Sequence, residues 1–219
     1  MTDWSALETA YGTAEGVPGL LAAAATGGDA TWNDVWSHLC HQGTVYTASF
    51  AALPALARLA EAAPPASFSQ PLYLAAMIVA SDDRSDEAED VDVRRDYAAE
   101  LSRMSALAER NVALATDLQD VAYAAHCVAA LEGIPVWADE LDRLGNGETD
   151  VECPSCDEGF VADLDEATPV DPSELDEGSA RVHRLLAGHP DAAAAFLRFA
   201  GTVACPRCGT RFSVPAALT

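Results

Sequence analysis

Two copies of one short cysteine motif constrain this chain more than any other feature. The motif reads C-P-x-C-x-x-x-F and spans residues 153–160 and 205–212. Two thiolates separated by two residues, on a turn that proline stiffens, form half of a tetrahedral zinc site. Two such halves leave no coordination position for water or substrate, so the spacing predicts one structural Zn²⁺ per chain. The predicted ligands are Cys153, Cys156, Cys205 and Cys208.

Two other uses of paired cysteines fit this sequence less well. A disulfide framework needs an oxidising compartment, and residues 1–4 lack the basic and apolar regions of a secretory signal. A thioredoxin-like redox site has one C-x-x-C at the end of a strand in a βαβ unit, whereas this chain has two pairs in strand-poor surroundings. The cysteines are therefore interpreted as metal ligands.

The segment between the two cysteine pairs is too long for a compact zinc ribbon. Such a ribbon has about 15–20 residues between its pairs, but here the segment runs from Asp157 to Ala204. Residues 148–219 are therefore predicted to form a zinc ribbon with a helical insertion at about residues 165–200. Short helices are expected at 179–187 and 190–200, with Gly188 between them.

Two histidines lie within this predicted insertion. His183 or His189 could replace a cysteine as a metal ligand. The complete set of four cysteines favours sulfur ligands instead, and leaves one histidine on a surface helix and the other in a loop.

Residues 1–147 are predicted to form an all-α domain. Apolar residues recur there at intervals of three and four, and no segment before Val151 shows sustained two-residue alternation. Two small-residue helices, at 47–56 and 120–131, are of the kind that pack in stacked helical hairpins. Helices are expected at 3–10, 17–25, 31–39, 44–62, 71–80, within 91–115, at 117–132 and at 136–144.

The first sixty residues carry a resemblance to a known family. They contain the runs Y-G-T-A, V-P-G-L-L, W-S-H-L, H-Q-G-T-V-Y and A-A-L-P-A-L, at residues 11–14, 17–21, 36–39, 41–46 and 51–56. This part of the chain resembles bacterial HEAT-like repeat proteins of actinobacteria. The resemblance implies an α-solenoid scaffold for protein–protein contact, and it carries over no catalytic residues.

The charge of the chain is extreme and uneven. Arginine supplies all 12 basic residues, against 35 acidic residues, for a net charge of −23. Residues 137–180 hold 15 acidic residues and one basic residue. Such a surface repels nucleic acid, because binding depends on basic groups that neutralise phosphates. The 137–180 stretch is expected either to attract a basic protein partner or to act as a solubilising linker. Residues 81–90 are better interpreted as a solvated linker.

Candidate catalytic residues are few. Cys40 with His41, and His126 with Cys127, could form a thiol–imidazole pair. Adjacent residues do not share one face of a helix, and core packing or capping explains each of these four. The sequence contains no phosphate loop, dinucleotide fingerprint or nucleophile elbow. No enzymatic activity is therefore expected.

Together these features favour a non-enzymatic protein-binding or scaffold protein with one structural zinc. One alternative is an acidic inhibitor or immunity protein that covers a basic partner such as a nuclease toxin. The other is an enzyme that uses the Cys40/His41 or His126/Cys127 region. The longest apolar run, residues 72–80, is too short to cross a membrane, so the protein is expected to be cytoplasmic.

Overall fold

The computed structural model describes residues 2–218, and α- and 3₁₀-helices account for 59% of the chain. Ten α-helices occur in this described range. They are α1 Val17–Ala24, α2 Asp29–Leu39, α3 Thr47–Ala62, α4 Gln70–Ala80, α5 Val93–Asp96, α6 Ala98–Leu114, α7 Leu118–Glu132, α8 Trp137–Glu140, α9 Glu177–Leu185 and α10 Pro190–Phe199.

Four two-stranded antiparallel sheets accompany the helices. They pair β1 Glu8–Thr9 with β2 Gly12–Thr13, β3 Cys40–His41 with β4 Thr44–Val45, β5 Glu148–Glu152 with β6 Gly159–Asp163, and β7 Thr202–Ala204 with β8 Arg211–Ser213. The chain is thus mostly helical, as predicted, but its first 147 residues also contain two short hairpins.

Helix α7 shows how local signals set the ends of the helices. The side chain of Asp117 accepts a hydrogen bond from the backbone N–H of Asp120 at 2.9 Å, which satisfies one of the free donors of the first turn. Gly133 ends the helix at φ 70°, a left-handed conformation in which glycine carries no Cβ penalty. Both boundaries match the predicted helix at 117–132.

The helix predicted at residues 3–10 is wrong. Only a 3₁₀ turn, Trp4–Ala6, forms there, capped by the side chain of Asp3. The chain then enters the β1–β2 hairpin, whose turn is closed by the hydroxyl of Thr9 donating to the carbonyl of Gly12 at 3.2 Å. Gly12 has φ 106°, which favours glycine and turns the chain back before a helix can propagate.

A second hairpin lies within the segment from 40 to 45. Gln42 and Gly43 both have positive φ, 53° and 95°, which is the backbone geometry of a two-residue type I′ hairpin turn. The strands β3 and β4 flank this turn in the register Cys40↔Val45 and His41↔Thr44. The helix predicted from residue 44 accordingly begins only at Thr47.

The helices pack in sequential pairs. Helix α1 contacts α2, α3 contacts α4, and α6 contacts α7. Between pairs, the first helices α1, α3 and α6 lie side by side, and the second helices α2, α4 and α7 do the same. Each pair therefore buries its apolar faces against the next pair in the chain.

The buried apolar side chains form two clusters. The first lies among α1–α4 and α6 and reaches Leu131 of α7. The second joins Val121 and Ala125 of α7 to Trp137, to Phe196 and Phe199 of α10 and to the two hairpins β5–β6 and β7–β8. The predicted domain boundary at residue 147 stays a prediction, and the second cluster draws side chains from both sides of it.

No helix among residues 2–218 is both long and apolar enough to cross a membrane.

Candidate metal centre

Two hairpins of the same design carry the four cysteines. The β5–β6 hairpin pairs Val151 with Phe160, and the β7–β8 hairpin pairs Val203 with Phe212. In each hairpin the C-P-x-C sequence forms the turn that joins the strands. The repeat in the sequence is therefore also a repeat in structure, and each copy presents two thiols from one turn.

Matching hydrogen bonds shape the two turns. The N–H of Cys153 donates to the carbonyl of Glu158, and the N–H of Cys205 donates to the carbonyl of Thr210, both at 2.9 Å. The residue after each second cysteine then adopts positive φ, 54° for Asp157 and 76° for Gly209. This conformation closes each turn around its first cysteine, so that both thiols of a copy point the same way.

The two turns bring the four sulfur atoms together. All four Sγ atoms lie within 4.8 Å of one another. The Sγ atoms of Cys153 and Cys208 are 3.8 Å apart, and those of Cys156 and Cys205 are 3.7 Å apart. Four sulfurs at about 2.3 Å from a tetrahedral Zn²⁺ lie about 3.8 Å from each other. The observed spacing fits such an ion, and it is far from the roughly 2.05 Å of a disulfide.

The pKa values of the thiols also fit a site that binds a cation. Hydrogen bonding with the side chain of Thr210, whose hydroxyl oxygen is 3.3 Å from the sulfur, and with its backbone N–H lowers the pKa of Cys208 to about 6. Burial and the neighbouring thiols raise the pKa of Cys156 to about 12. Like charges this close cannot all ionise on their own, so the set needs a positive ion to hold four thiolates.

Contacts outside the sulfurs hold the two hairpins against each other. The rings of Phe160 and Phe212 meet edge to face with their centroids 6.1 Å apart. The guanidinium of Arg207, in the second turn, lies 3.1 Å from the carboxylate of Glu158, next to the first turn. Cys153 and Cys205 are buried, whereas Cys208 lies at the surface.

Two helices form between the cysteine pairs. Helix α9 begins and ends two residues before the helix expected at 179–187, and α10 matches the one expected at 190–200 to within a residue. Their apolar faces contribute Val182, Phe196 and Phe199 to the second cluster, where Trp137 contacts both phenylalanine rings. The insertion thus connects the cysteine hairpins to the helical part of the chain.

Neither histidine of the insertion lies with the sulfurs. Within the described residues, the group of possible metal ligands at this site consists of the four cysteines. The Nε2 atom of His189 is 2.7 Å from the carbonyl of Val112, so this imidazole bonds to the end of α6 instead. His183 lies in the last turn of α9.

The Cys40/His41 pair does not form a thiol–imidazole contact. Successive side chains of a strand point to opposite faces, and accordingly the Cys40 thiol is buried while His41 is half-buried. The ring of His41 approaches the hydroxyl of Tyr11, with 3.4 Å between Nδ1 and Oη. Burial raises the pKa of the Cys40 thiol, which is the opposite of what a nucleophilic cysteine needs.

The side chains of His126 and Cys127 also lie in different environments. Cys127 is buried in the first cluster, and burial raises the pKa of its thiol. The ring of His126 lies against Tyr73, with centroids 5.8 Å apart, and both of its nitrogens lack a hydrogen-bond partner among the described residues. The sequence did not predict this orphaned imidazole, because only the helix packing places it.

The acidic stretch predicted to contact a partner lies mostly at the surface. Seven carboxylate residues of this stretch are exposed: Asp163, Asp165, Glu166, Asp171, Glu174, Asp176 and Glu177. Two of them cap local turns, Asp171 for Ser173 and Asp176 for Ser179.

Backbone hydrogen bonds hold this acidic stretch in place. Thr168 and Thr202 exchange two N–H···O bonds of 2.9 and 3.0 Å, and the N–H of Val170 donates to the carbonyl of Leu197 at 2.9 Å. Gly201 lets the chains approach this closely, because a Cβ there would collide with the carbonyl of Thr168. The segment is therefore an ordered part of the fold.

The fold and the site together define a mostly helical protein with a four-cysteine candidate metal centre. Comparisons of the chain with protein-family models, with curated protein sequences and with solved structures found no match.

Proposed function

We propose that this chain is a non-enzymatic protein-binding scaffold with one structural zinc. The observation that carries the proposal is the ordered acidic surface of the insertion, which lies between the two halves of the metal centre. A solubilising linker would not require the backbone hydrogen bonds that fix Thr168 and Val170 to the rest of the fold. An ordered surface of one charge is suited to a partner of opposite charge.

Zinc is the ion that the donor set favours. Four thiolates in a tetrahedral arrangement are typical ligands of structural zinc, and the sulfur spacing leaves no open position for catalysis. In this proposal the ion holds the two hairpins together and thereby fixes both ends of the acidic insertion.

A HEAT-like solenoid is the proposed architecture of the helical part. The side-by-side rows of first helices, α1, α3 and α6, and of second helices, α2, α4 and α7, support it. Stacked helical hairpins build extended surfaces for protein contact. In this respect the proposal agrees with the resemblance of the first sixty residues to HEAT-like repeat proteins of actinobacteria.

The proposed partner is a protein with a basic surface. An acidic surface repels the phosphates of nucleic acid and steers a basic protein towards the insertion. An inhibitor or immunity protein that covers a basic nuclease would use the same surface. The buried thiols of Cys40 and Cys127, with their raised pKa, favour these binding roles over catalysis.

Metal analysis tests the zinc. The purified protein is expected to contain one zinc ion per chain, and Cys153→Ser and Cys205→Ser are each expected to lose it. Cys40→Ala is the matched control, because Cys40 lies away from the four sulfurs and its loss should leave the zinc content unchanged. Substoichiometric zinc in the wild-type protein would overturn this part of the proposal.

Association kinetics test the acidic surface, with cytochrome c and a deca-arginine peptide as basic probes. The Glu166→Lys/Glu174→Lys variant reverses two exposed carboxylates of the insertion that take part in no side-chain hydrogen bond among the described residues. Glu15→Lys/Asp34→Lys makes the same change in net charge at exposed positions of the N-terminal region.

The insertion variant is expected to slow association by about tenfold at low salt, and the control variant by much less, because steering depends on local charge. Equal effects of the two variants would show that only net charge matters, and would leave the insertion without a binding role.

A further inference from the structure

A cavity of about 940 Å³ lies at the end of the helix pairs where their connecting loops run. Helices α1, α3 and α6 end there, and α2 and α4 begin there, so the wall includes Ala24, Trp32, Ala62, Gln70 and Leu114. Binding sites for small molecules in proteins typically have volumes of about 300–1,000 Å³. The metal centre lies elsewhere, on the hairpins β5–β6 and β7–β8.

Most of the cavity wall is apolar, and part of it is exposed. The loop from α3 to α4 contributes the exposed run A-P-P-A at residues 63–66, whose two prolines carry no backbone N–H donor. The last turn of α6 adds Leu114, which is 47% exposed. Exposed apolar residues that border one cavity are typical of a ligand-binding groove.

The wall carries one unpaired charge, and that charge is positive. Arg110 and Glu61 are the charged residues of the wall. The carboxylate of Glu61 pairs with the guanidinium of Arg103 at 2.9 Å. Arg110 makes no ion pair within residues 2–218. The uncompensated charge of the cavity therefore favours an anionic ligand.

Helix geometry places Arg110 on the cavity side of α6. Leu107, Arg110, Asn111 and Leu114 all border the cavity, and their spacing is i, i+3, i+4 and i+7. Residues at this spacing share one face of a helix. The side chain of Arg110 therefore leaves the helix from the same face as the apolar side chains of the wall.

Further hydrogen-bond donors lie beside this arginine. A small cavity of about 10 Å³ has both Ser69 and Asn111 in its wall, so these two residues are neighbours between the start of α4 and the end of α6. The Oε1 atom of Gln70 accepts a bond of 3.1 Å from the indole N–H of Trp36, which leaves the amide N–H groups of Gln70 as donors. A carboxylate, which only accepts hydrogen bonds, matches such a set of donors.

We propose that this cavity binds a medium-chain alkyl carboxylate. The carboxylate would pair with Arg110 and accept a hydrogen bond from Gln70, and the alkyl chain would lie along Pro64 and Leu114. A hydrated inorganic anion would leave the apolar wall uncovered, and Arg110 would repel an alkyl cation. The site belongs to helices α1–α4 and α6, so it is independent of the acidic insertion and its proposed partner.

Nuclear magnetic resonance of the tryptophan-labelled protein tests the site, with octanoate, decanoate, decanol and decylammonium as probes. Decanoate is expected to shift the indole signal of Trp32, which borders the cavity, and to leave that of Trp137 in the second cluster unchanged. Loss of the signal in Trp32→Phe assigns it. Decanoate should bind up to about 16-fold more tightly than octanoate, because each of its two extra methylenes contributes about fourfold when buried.

Two arginine variants make the test specific for charge. Arg110→Met keeps an apolar stem, and it is expected to weaken decanoate binding by about tenfold or more because a charge-assisted bond is lost. Its affinity for decanol should stay unchanged. Arg184→Met is the matched control, because Arg184 is exposed on α9 and does not border the cavity. The Kd of this control for decanoate should match that of the wild type.

Three results would overturn the inference. One is an unchanged Trp32 signal at millimolar concentrations of decanoate. Another is binding of decanol or decylammonium as tight as that of decanoate, which would show that Arg110 does not select an anion. The third is an equal loss in Arg110→Met and Arg184→Met, which would reduce the effect to net charge. Because Glu166 and Glu174 lie outside this cavity, failure of the acidic-surface test would not affect these results.

Discussion

Trp137 and Ser179 show how one polar contact joins the helical part of the chain to the insertion. The indole N–H of Trp137 donates to the hydroxyl of Ser179 at 2.8 Å, in a buried setting. That hydroxyl donates in turn to the carboxylate of Asp176 at 2.8 Å, and the same carboxylate caps α9. The bonds satisfy the indole, which would otherwise be an unpaired buried donor.

Ser179→Ala is expected to destabilise the protein by about 1–3 kcal/mol, because it leaves the Trp137 N–H buried without an acceptor. Ser173→Ala is the matched control. Ser173 makes the same pair of bonds to Asp171, but at the exposed surface. Its replacement should change the free energy of unfolding by about 0.5 kcal/mol or less. Urea unfolding measures both, and equal losses would contradict the role given to the indole.

His126 gives the protein a specific pH dependence. Burial lowers the pKa of His126, against the opposing effect of Asp142, so its imidazole stays neutral in the fold. Below the unfolded-state pKa of about 6.5 the unfolded chain therefore binds a proton that the folded chain does not. Stability due to this group is present above pH 6.5 and is lost as the pH falls, by at most about 1.4 kcal/mol per pH unit.

The comparison with His126→Gln isolates this effect. Groups that face His126 or lie near it, including Tyr73, Asp82, Asp83, Asp139 and Asp142, are common to both proteins. The wild type is expected to lose more stability than the variant between pH 7.5 and pH 5.5 in urea unfolding. Parallel pH profiles would show that the imidazole is protonated in the folded state.

At the scale of elements, the metal centre holds short hairpins that could not persist alone. A two-stranded hairpin is at best marginally stable in water, and β7–β8 pairs only three residues on each side. A structural zinc ion supplies on the order of 10 kcal/mol to such a module. The two hairpins and the insertion should therefore depend on the ion together.

Metal removal by a chelator is expected to expose the backbone of the two cysteine hairpins to solvent and to leave the first cluster folded. Hydrogen exchange should show loss of protection at the N–H groups of Cys153 and Cys205, which bond across their turns. Helices α3 and α4 should stay protected, because the first cluster contains none of the four ligand cysteines. Re-addition of Zn²⁺ should restore the lost protection. Hairpins that stay protected without metal would contradict a structural ion.

For the whole molecule, the net charge of −23 is the dominant electrostatic property. Like charges repel one another in the compact state and lower its stability. Salt screens this repulsion, since the Debye length falls from about 30 Å at 0.01 M to about 8 Å at 0.15 M.

The Tm is therefore expected to rise by about 2–4 °C over this salt range, which corresponds to roughly 1 kcal/mol for a chain of this size. Glu15→Lys/Asp34→Lys, with a smaller net charge, should show a smaller rise. Calorimetry at several sodium chloride concentrations measures it. A Tm that falls with salt would mean that the ion pairs, such as Arg198 with Asp165, outweigh the repulsion.

Local features of the sequence determined much of this structure. The spacing of Cys153, Cys156, Cys205 and Cys208 was enough to predict which side chains meet, because each C-P-x-C turn is built from its own hydrogen bonds. The ends of α7 and the positions of α9 and α10 were also predictable, since caps and glycine act within a turn or two.

Other features were decided only by the tertiary structure. The hairpins at Gly12 and Gly43 replace helix because positive φ and cross-strand bonds outweigh a helical pattern a few residues long. The packing of Trp137 against α10, and the burial of His126 against Tyr73, depend on segments far apart in the chain. Sequence periodicity reports which face of an element is apolar, whereas the partner of that face is set by the free energy of the whole packed core.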